Sequence, residues 1–314
     1  MQLIIILLAT VSILTFLSGL IVFVGAIRGE RVRSTWYFLA AIFATVWMAS
    51  ISLFLVADKS WGSIVDWHAK WTFVSAIIID VAFLGYIVWN EKHGKLVTFL
   101  FLVLGGIISA LILTRPELLY KEVILGHTGN SVVMNIGPLY FAYIGFFGLI
   151  VPVVVFSLLK QFYETKKSKK RYSDLIIMSS FGISSVVVLV ANLILPLMGN
   201  WGLIWLGPLA LSMTILAFYY TILRYQVLDL TSIWLKFFSY VVVITSFAIV
   251  YMIIFSLIFS ALFRGSTPSI EVIILNFIMV IIFLVLIPSI NEISISIRKL
   301  INSNTVEKKE EKTR

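Results

Sequence analysis

The stretch GPLALSMTILAFYYTILRYQVLDL, Gly207 to Leu230, decides how the chain is read. It is an apolar run opened by Gly-Pro and closed by Arg224, and after a short pause a further apolar run begins. A helix crossing the hydrocarbon core of a bilayer needs about 17–25 predominantly apolar residues. This run reaches that length with its first charge at its end. The rest of the chain behaves likewise: 61% of its 314 residues are apolar and only 12% charged, against roughly 45–50% and 25% in soluble domains. A soluble chain so composed would lack the polar surface to cover its core. Its solvent is therefore a bilayer.

Nine segments have the length to span, near 3–27, 36–57, 72–89, 96–114, 138–159, 175–198, 203–223, 237–262 and 270–290. None alternates as a barrel strand would, which leaves helices. The expected fold is all-α, a polytopic membrane protein with about nine transmembrane helices. The first segment resembles a signal peptide at Val24-Gly25-Ala26, but no positive residue precedes it and its apolar run is too long, so it is expected to be retained.

The net charge of +9 invites a nucleic-acid partner, but its placement argues against one. Lys and Arg lie in short loops between apolar runs. On alternate sides they divide 19 to 5, the larger set falling in 28–35, 90–95, 160–174, 224–236 and the tail. Positive loops stay inside. This predicts an inner (cytoplasmic) membrane protein with its amino terminus outside and its carboxyl terminus in the cytoplasm. KKSKKRY, Lys166 to Tyr172, dominates that bias; it also suits anionic headgroups, although topology alone accounts for it. Trp61, Trp67, Trp71, Trp89, Trp201, Trp205 and Trp234 fall at or beside predicted span ends, as interface anchors do.

The longest external loop, Arg115 to Gly137, holds two short β-prone runs around GHTGN and is expected to form a β-hairpin at 121–135. Beyond the ninth span, Leu286, Ile290, Ile293, Ile297 and Leu300 are spaced as a coiled-coil seam of two heptads. This is a candidate homodimer contact through 286–300, although ISISI within it would equally suit a strand.

Chemistry is sparse. There is no cysteine, and the three histidines lie outside the spans. No phosphate-cradling glycine loop is found, and no paired carboxylates are placed for acid–base work. No cofactor or metal is expected. Gly105-Gly106 suits close helix packing. Polar groups inside spans are the better lead, since burying them costs free energy. Asp80, in SAIIIDVAFLGY, is a candidate proton-linked or ligand-contacting carboxylate; the alternative is a protonated Asp bonded to a neighbouring helix. Asn192, four residues before Pro196, is a ligand candidate whose alternative is to satisfy backbone loosened by that proline. Trp47 and Trp71 complete the ligand-binding candidates, against packing for the first and interface anchoring for the second.

NLILPLMG, Asn192 to Gly199, followed by LGPLALSMTILAFYYTILRYQVLDL, Leu206 to Leu230, resembles the N-terminal seven-helix membrane domain of bacterial sensor histidine kinases. RSTWYFLAAIFATVW (Arg33 to Trp47), WHAKWTFVSAIII (Trp67 to Ile79) and GPLYFAYIGFF (Gly137 to Phe147) fit the same pattern in order. The resemblance implies a sensor domain at 1–230, two further transmembrane helices at 231–290, and a cytoplasmic juxtamembrane helix with a charged tail at 291–314. It also implies a receptor role, with signal coupling through Arg224, Tyr225, Leu228 and Asp229. No His-Glu-x-x-Pro box is present, so the expectation is a non-enzymatic receptor acting on a separate cytoplasmic kinase or cyclase, or a truncated kinase. A transporter subunit and a structural scaffold are the rival readings. Sparse intramembrane charge and the lack of a visible inverted repeat weigh against the transporter.

Overall fold

In the computed structural model the described residues are 2–25, 31–56, 62–125, 132–165, 168–224, 242, 243, 245, 246 and 249. They contain seven helices long and apolar enough to cross a membrane. In chain order these are α1 (Gln2–Gly25), α2 (Arg31–Val56), α3 (Gly62–Val88), α4 (Gly94–Thr114), α5 (Leu139–Glu164), α6 (Ser168–Val188) and α7 (Leu206–Arg224). The chain is a multi-pass membrane protein. The spans expected at 237–262 and 270–290 lie, five scattered positions aside, outside the described residues, as does the seam at 286–300.

α3 organises the packing. Its apolar residues are distributed around the whole circumference, the pattern of a helix buried on every side. From Phe73 to Val88 every residue is buried except Ile78 and Tyr86, which are half-buried. α2, α4 and α5 pack directly on it, while α7 lies against α1, α2 and α6. Phe83 of α3 reaches two further neighbours, with ring centroids 5.6 Å from Phe181 of α6 and 5.2 Å from Phe218 of α7.

α4 is the opposite case. It buries one stripe, including Thr98, Gly105, Ile108 and Ile112, and leaves Leu96, Phe99, Leu100, Val103 and Ile107 exposed. Such a face suits contact with lipid. Gly105 permits close approach to α3, since a Cβ there would lie 2.7 Å from Ile77 Cγ2, whereas one on Gly106 would meet nothing. The expectation that both glycines pack thus holds for Gly105 alone.

Several boundaries differ from the sequence reading. α3 begins at Gly62, ten residues before the expected 72, because Asp66 and Lys70 bridge one turn of helix at 2.7 Å. Trp67 and Trp71 therefore lie on a helix and not in a loop. α6 begins at Ser168, so the second half of KKSKKRY opens the helix. The sixth span is not one α-helix: from Leu189 to Ile194 it widens to a π-helix, then closes with an α-turn, Leu195–Leu197. Gly199, at φ +78°, ends it. Its N–H donates to Pro196 O (2.9 Å) and that of Asn200 to Leu195 O (2.9 Å), the paired bonds of a glycine-stopped helix.

Between α4 and α5, β1 (Tyr120–Leu125) pairs antiparallel with β2 (Val132–Ile136). The turn that would join them, 126–131, lies outside the described residues. Tyr120 fastens the ribbon to α3 by donating its hydroxyl to Asp66 Oδ1 at 2.8 Å. Burial first, and then the bond to the Asp66 carboxylate, push the Tyr120 phenol well above its usual range.

Candidate functional site

Asp80 lies on α3 and is 5% exposed. It borders a small cavity of about 10 Å³, counted as space open to the centre of a water molecule, which is about the room one water needs. Five helices contribute to the wall, through Trp47 of α2, Phe147 of α5, Ser185 and Leu189 of the sixth span, and Leu211 of α7. Trp47 is 2% exposed, and its indole N–H finds no acceptor among the described residues. Such an orphaned donor costs about 1–3 kcal/mol, so its placement beside Asp80 is informative. No hydrogen bond or ion pair to Asp80 occurs among the described residues.

Of the four ligand candidates, the structure brings Asp80 and Trp47 together and separates the other two. Trp71 packs edge-on against Trp67 with ring centroids 5.8 Å apart, and it does not line the cavity. Asn192 sits in the π-helical segment, where its Nδ2 donates to Ile204 O at 3.0 Å.

Asn192 does not repair the proline-loosened backbone with its side chain, which corrects the sequence reading. Pro196 has no N–H, so the carbonyl four residues earlier, that of Asn192 itself, loses its helical donor. The Tyr140 hydroxyl of α5 fills that role, 3.0 Å from Asn192 O and 3.4 Å from Leu193 O. The Asn192 side chain instead ties the sixth span to the start of α7. It lies against Gly207, where a Cβ would overlap the amide. Tyr140 escaped sequence reasoning. Its signal was a tyrosine in the first turn of a span, GPLYFAY, which packing or interface anchoring explains equally well.

α7 is attached to its neighbours by side-chain hydrogen bonds along its length. Thr214 Oγ1 lies 2.7 Å from Ser184 Oγ and 3.0 Å from Ser180 O, both on α6. Ser212 Oγ reaches Met48 Sδ of α2 at 3.3 Å. Tyr37 of α2 donates to Ile215 O at 2.9 Å and lies 3.1 Å from Ser18 Oγ of α1. These contacts fall within the turn that follows Leu211, the α7 residue at the cavity wall. A change at the cavity therefore meets a helix whose position is fixed by a few specific polar contacts. Among the coupling candidates, Arg224 is the last residue of α7, while Tyr225, Leu228 and Asp229 lie outside the described residues.

The opposite end of α3 is also tied. Gln161 Nε2 of α5 donates to Ile87 O at 2.9 Å, and Lys160 meets Glu91 at 3.3 Å. Among the described residues no group of three or more acidic or imidazole side chains is placed to hold a metal ion.

Comparison with curated proteins gave no match, and comparison with solved structures gave none either. A family model described as the N-terminal 7TM region of histidine kinase matches residues 6–231. That is more than two thirds of the 314 residues, and it takes in all seven helices but the first turn of α1. By that match, the chain belongs to the family of the N-terminal 7TM region of histidine kinase.

Proposed function

We propose that the chain is the receptor module of a membrane signalling system, receiving its signal within the bundle and passing it along α7 to a separate cytoplasmic effector of the kinase or cyclase class. The family supports a membrane sensor region; the signalling role and the effector are the proposal. The observation that carries it is the suspension of α7. This helix borders the Asp80 cavity at Leu211 and hangs on α2 and α6 through Ser212, Thr214 and Ile215. Its last residue is Arg224.

A sensor embedded in a bilayer can inform the cytoplasm only by a change in helix position or pairing, and a ligand must prefer one arrangement to shift the balance. Contacts of about 1 kcal/mol each are the right size to hold one arrangement without locking it. In this reading the amino terminus is outside, and Arg224 and Asp229 form the elbow that transmits the movement. Asp80 and Trp47 line the receiving region and Asn192 braces the helix beside it, while Trp71 anchors α3 away from the cavity. The chain itself catalyses nothing.

The test joins a histidine-kinase core after Leu300 and compares the parent chimera with Thr214→Ala, Arg224→Ala and Asp229→Ala. An exposed Arg–Asp pair is worth about 0–1 kcal/mol, so folding should survive while basal output shifts. Unchanged output in all three variants at normal membrane levels would defeat the proposal.

A further inference from the structure

Asp80 combines three features that stand together nowhere else among the described residues. It is a buried carboxylate, it has no hydrogen-bonding or charged partner among the described residues, and it lines a one-water cavity together with Trp47, whose indole N–H finds no acceptor there. An ionised carboxylate alone in an apolar interior costs several kcal/mol or more, whereas a proton on it removes that cost. A carboxyl that keeps its proton is in turn a donor in need of an acceptor; Phe147, Leu189 and Leu211 offer none, and the Ser185 hydroxyl is the one side-chain acceptor on the wall besides Asp80 itself.

One water resolves both needs. It can accept from the Trp47 N–H and from the Asp80 O–H while donating back to the carboxyl and towards Ser185. If the carboxyl O–H breaks, the proton passes to that water and on to solvent water. The same water, still held by Trp47, then donates to the carboxylate. Nothing is oxidised or reduced, and the two states differ by one proton and a turned water.

A metal ion fits poorly. Hard cations take about six or more oxygen ligands, and the only side-chain oxygens on the wall are those of Asp80 and Ser185. The groups facing Asp80 leave the proton as the species exchanged. Trp47 comes from α2, Phe147 from α5, Ser185 and Leu189 from the sixth span, and Leu211 from α7, none of them titratable. Among the described residues, Tyr143 of α5 is an ionisable group placed to feel its charge.

We propose that Asp80, Trp47 and one water held between them form a proton-binding site in the core of the bundle. The exchange needs no receptor role; only its use as a signal rests on the receptor reading above. Charging Asp80 draws on Trp47 of α2 and is costly beside the apolar wall supplied by the π-helical segment and α7, so it favours an arrangement in which that wall admits water. Proton exchange is thereby coupled to the contacts that suspend α7.

The experiment is infrared spectroscopy of the full chain in liposomes, following the carbonyl stretch of a protonated carboxyl from about pH 5 to about pH 9. The wild type should show a band that Asp80→Asn lacks and that loses amplitude as pH rises. Trp47→Phe, which keeps the ring but removes the donor, should displace the band. If Asp80→Asn does not fold, the wild-type titration and the Trp47→Phe displacement carry the test. The site is overturned by a band of constant amplitude across that range, by no difference between wild type and Asp80→Asn, or by a band that sodium displaces where choline does not. A band that titrates while a grafted kinase ignores pH would leave the site standing and remove the receptor reading.

Discussion

Replacing Gly207 with Ala tests the link between the sixth span and α7 at a single atom. The added Cβ would overlap the Asn192 amide, so either the amide turns away or the start of α7 retreats. Turning away breaks the bond from Asn192 Nδ2 to Ile204 O, a loss of about 0.5–1.5 kcal/mol. Retreat is an overpacking adjustment of about 1–3 kcal/mol. Gly207→Ala should therefore destabilise by about 1–3 kcal/mol, and Asn192→Ala, which removes the same bond, by about 1 kcal/mol. In the Asn192→Ala background the obstacle is gone, so adding Gly207→Ala should cost about nothing. The double variant is then less destabilised than the sum of the singles by about 1–3 kcal/mol, beyond the few tenths expected of independent sites. Reversible unfolding in mixed detergent–dodecyl sulfate micelles, followed by circular dichroism, measures all three. Additive losses would refute the contact and with it this tie between the π-helical segment of the sixth span and α7.

Gly105→Ala and Gly106→Ala should separate by face: the first loses about 1–3 kcal/mol against Ile77, while the second is neutral or gains up to about 1 kcal/mol of helix propensity. Equal effects in the same unfolding assay would mean α4 presents a different side to α3. Tyr140→Phe strands the carbonyl of Asn192 and should cost about 1–3 kcal/mol, with faster amide exchange confined to 189–197; an unchanged exchange pattern would assign that carbonyl another donor. Reporter fusions after Thr165 and after Arg314 should both report cytoplasm, and an external signal from either would break the orientation read from the charge split. Purified chain given labelled ATP should stay unlabelled, whereas stoichiometric acid-labile phosphate would reveal a phosphoacceptor that the sequence does not advertise.

The membrane spans were legible because composition alone forces them: a run such as Leu206 to Leu223 has no other stable solvent. Their ends were less so. Asp66, Trp67, His68 and Lys70 read as a polar loop, yet the i,i+4 pair Asp66–Lys70 and the anchoring of Asp66 by Tyr120 carry α3 two and a half turns further. Hydropathy measures transfer to lipid and is silent on helices that continue into the interface. The π-helical segment was half visible. Pro196 signalled a disturbed backbone, but the widened turn lies before it, and the donor that repairs it comes from α5, 52 residues away in sequence. No local pattern encodes such a partner.

The Asp80 cavity shows where the limit falls. Depth in the bilayer can be counted along the sequence, so Asp80 and Trp47 could each be recognised as intramembrane groups. Whether two such groups meet depends on the rotation of both helices about their axes, and rotation is read from amphipathicity. A lipid-facing helix such as α4 declares its rotation through a stripe of small and polar residues. α3 declares none, because a helix packed on all sides has no face to spare for lipid and no pattern to impose. The residue most exposed to selection by its neighbours is thus the one whose neighbours the sequence conceals. The same burial makes a lone carboxylate on that helix costly, and therefore worth testing as the place where the bundle responds.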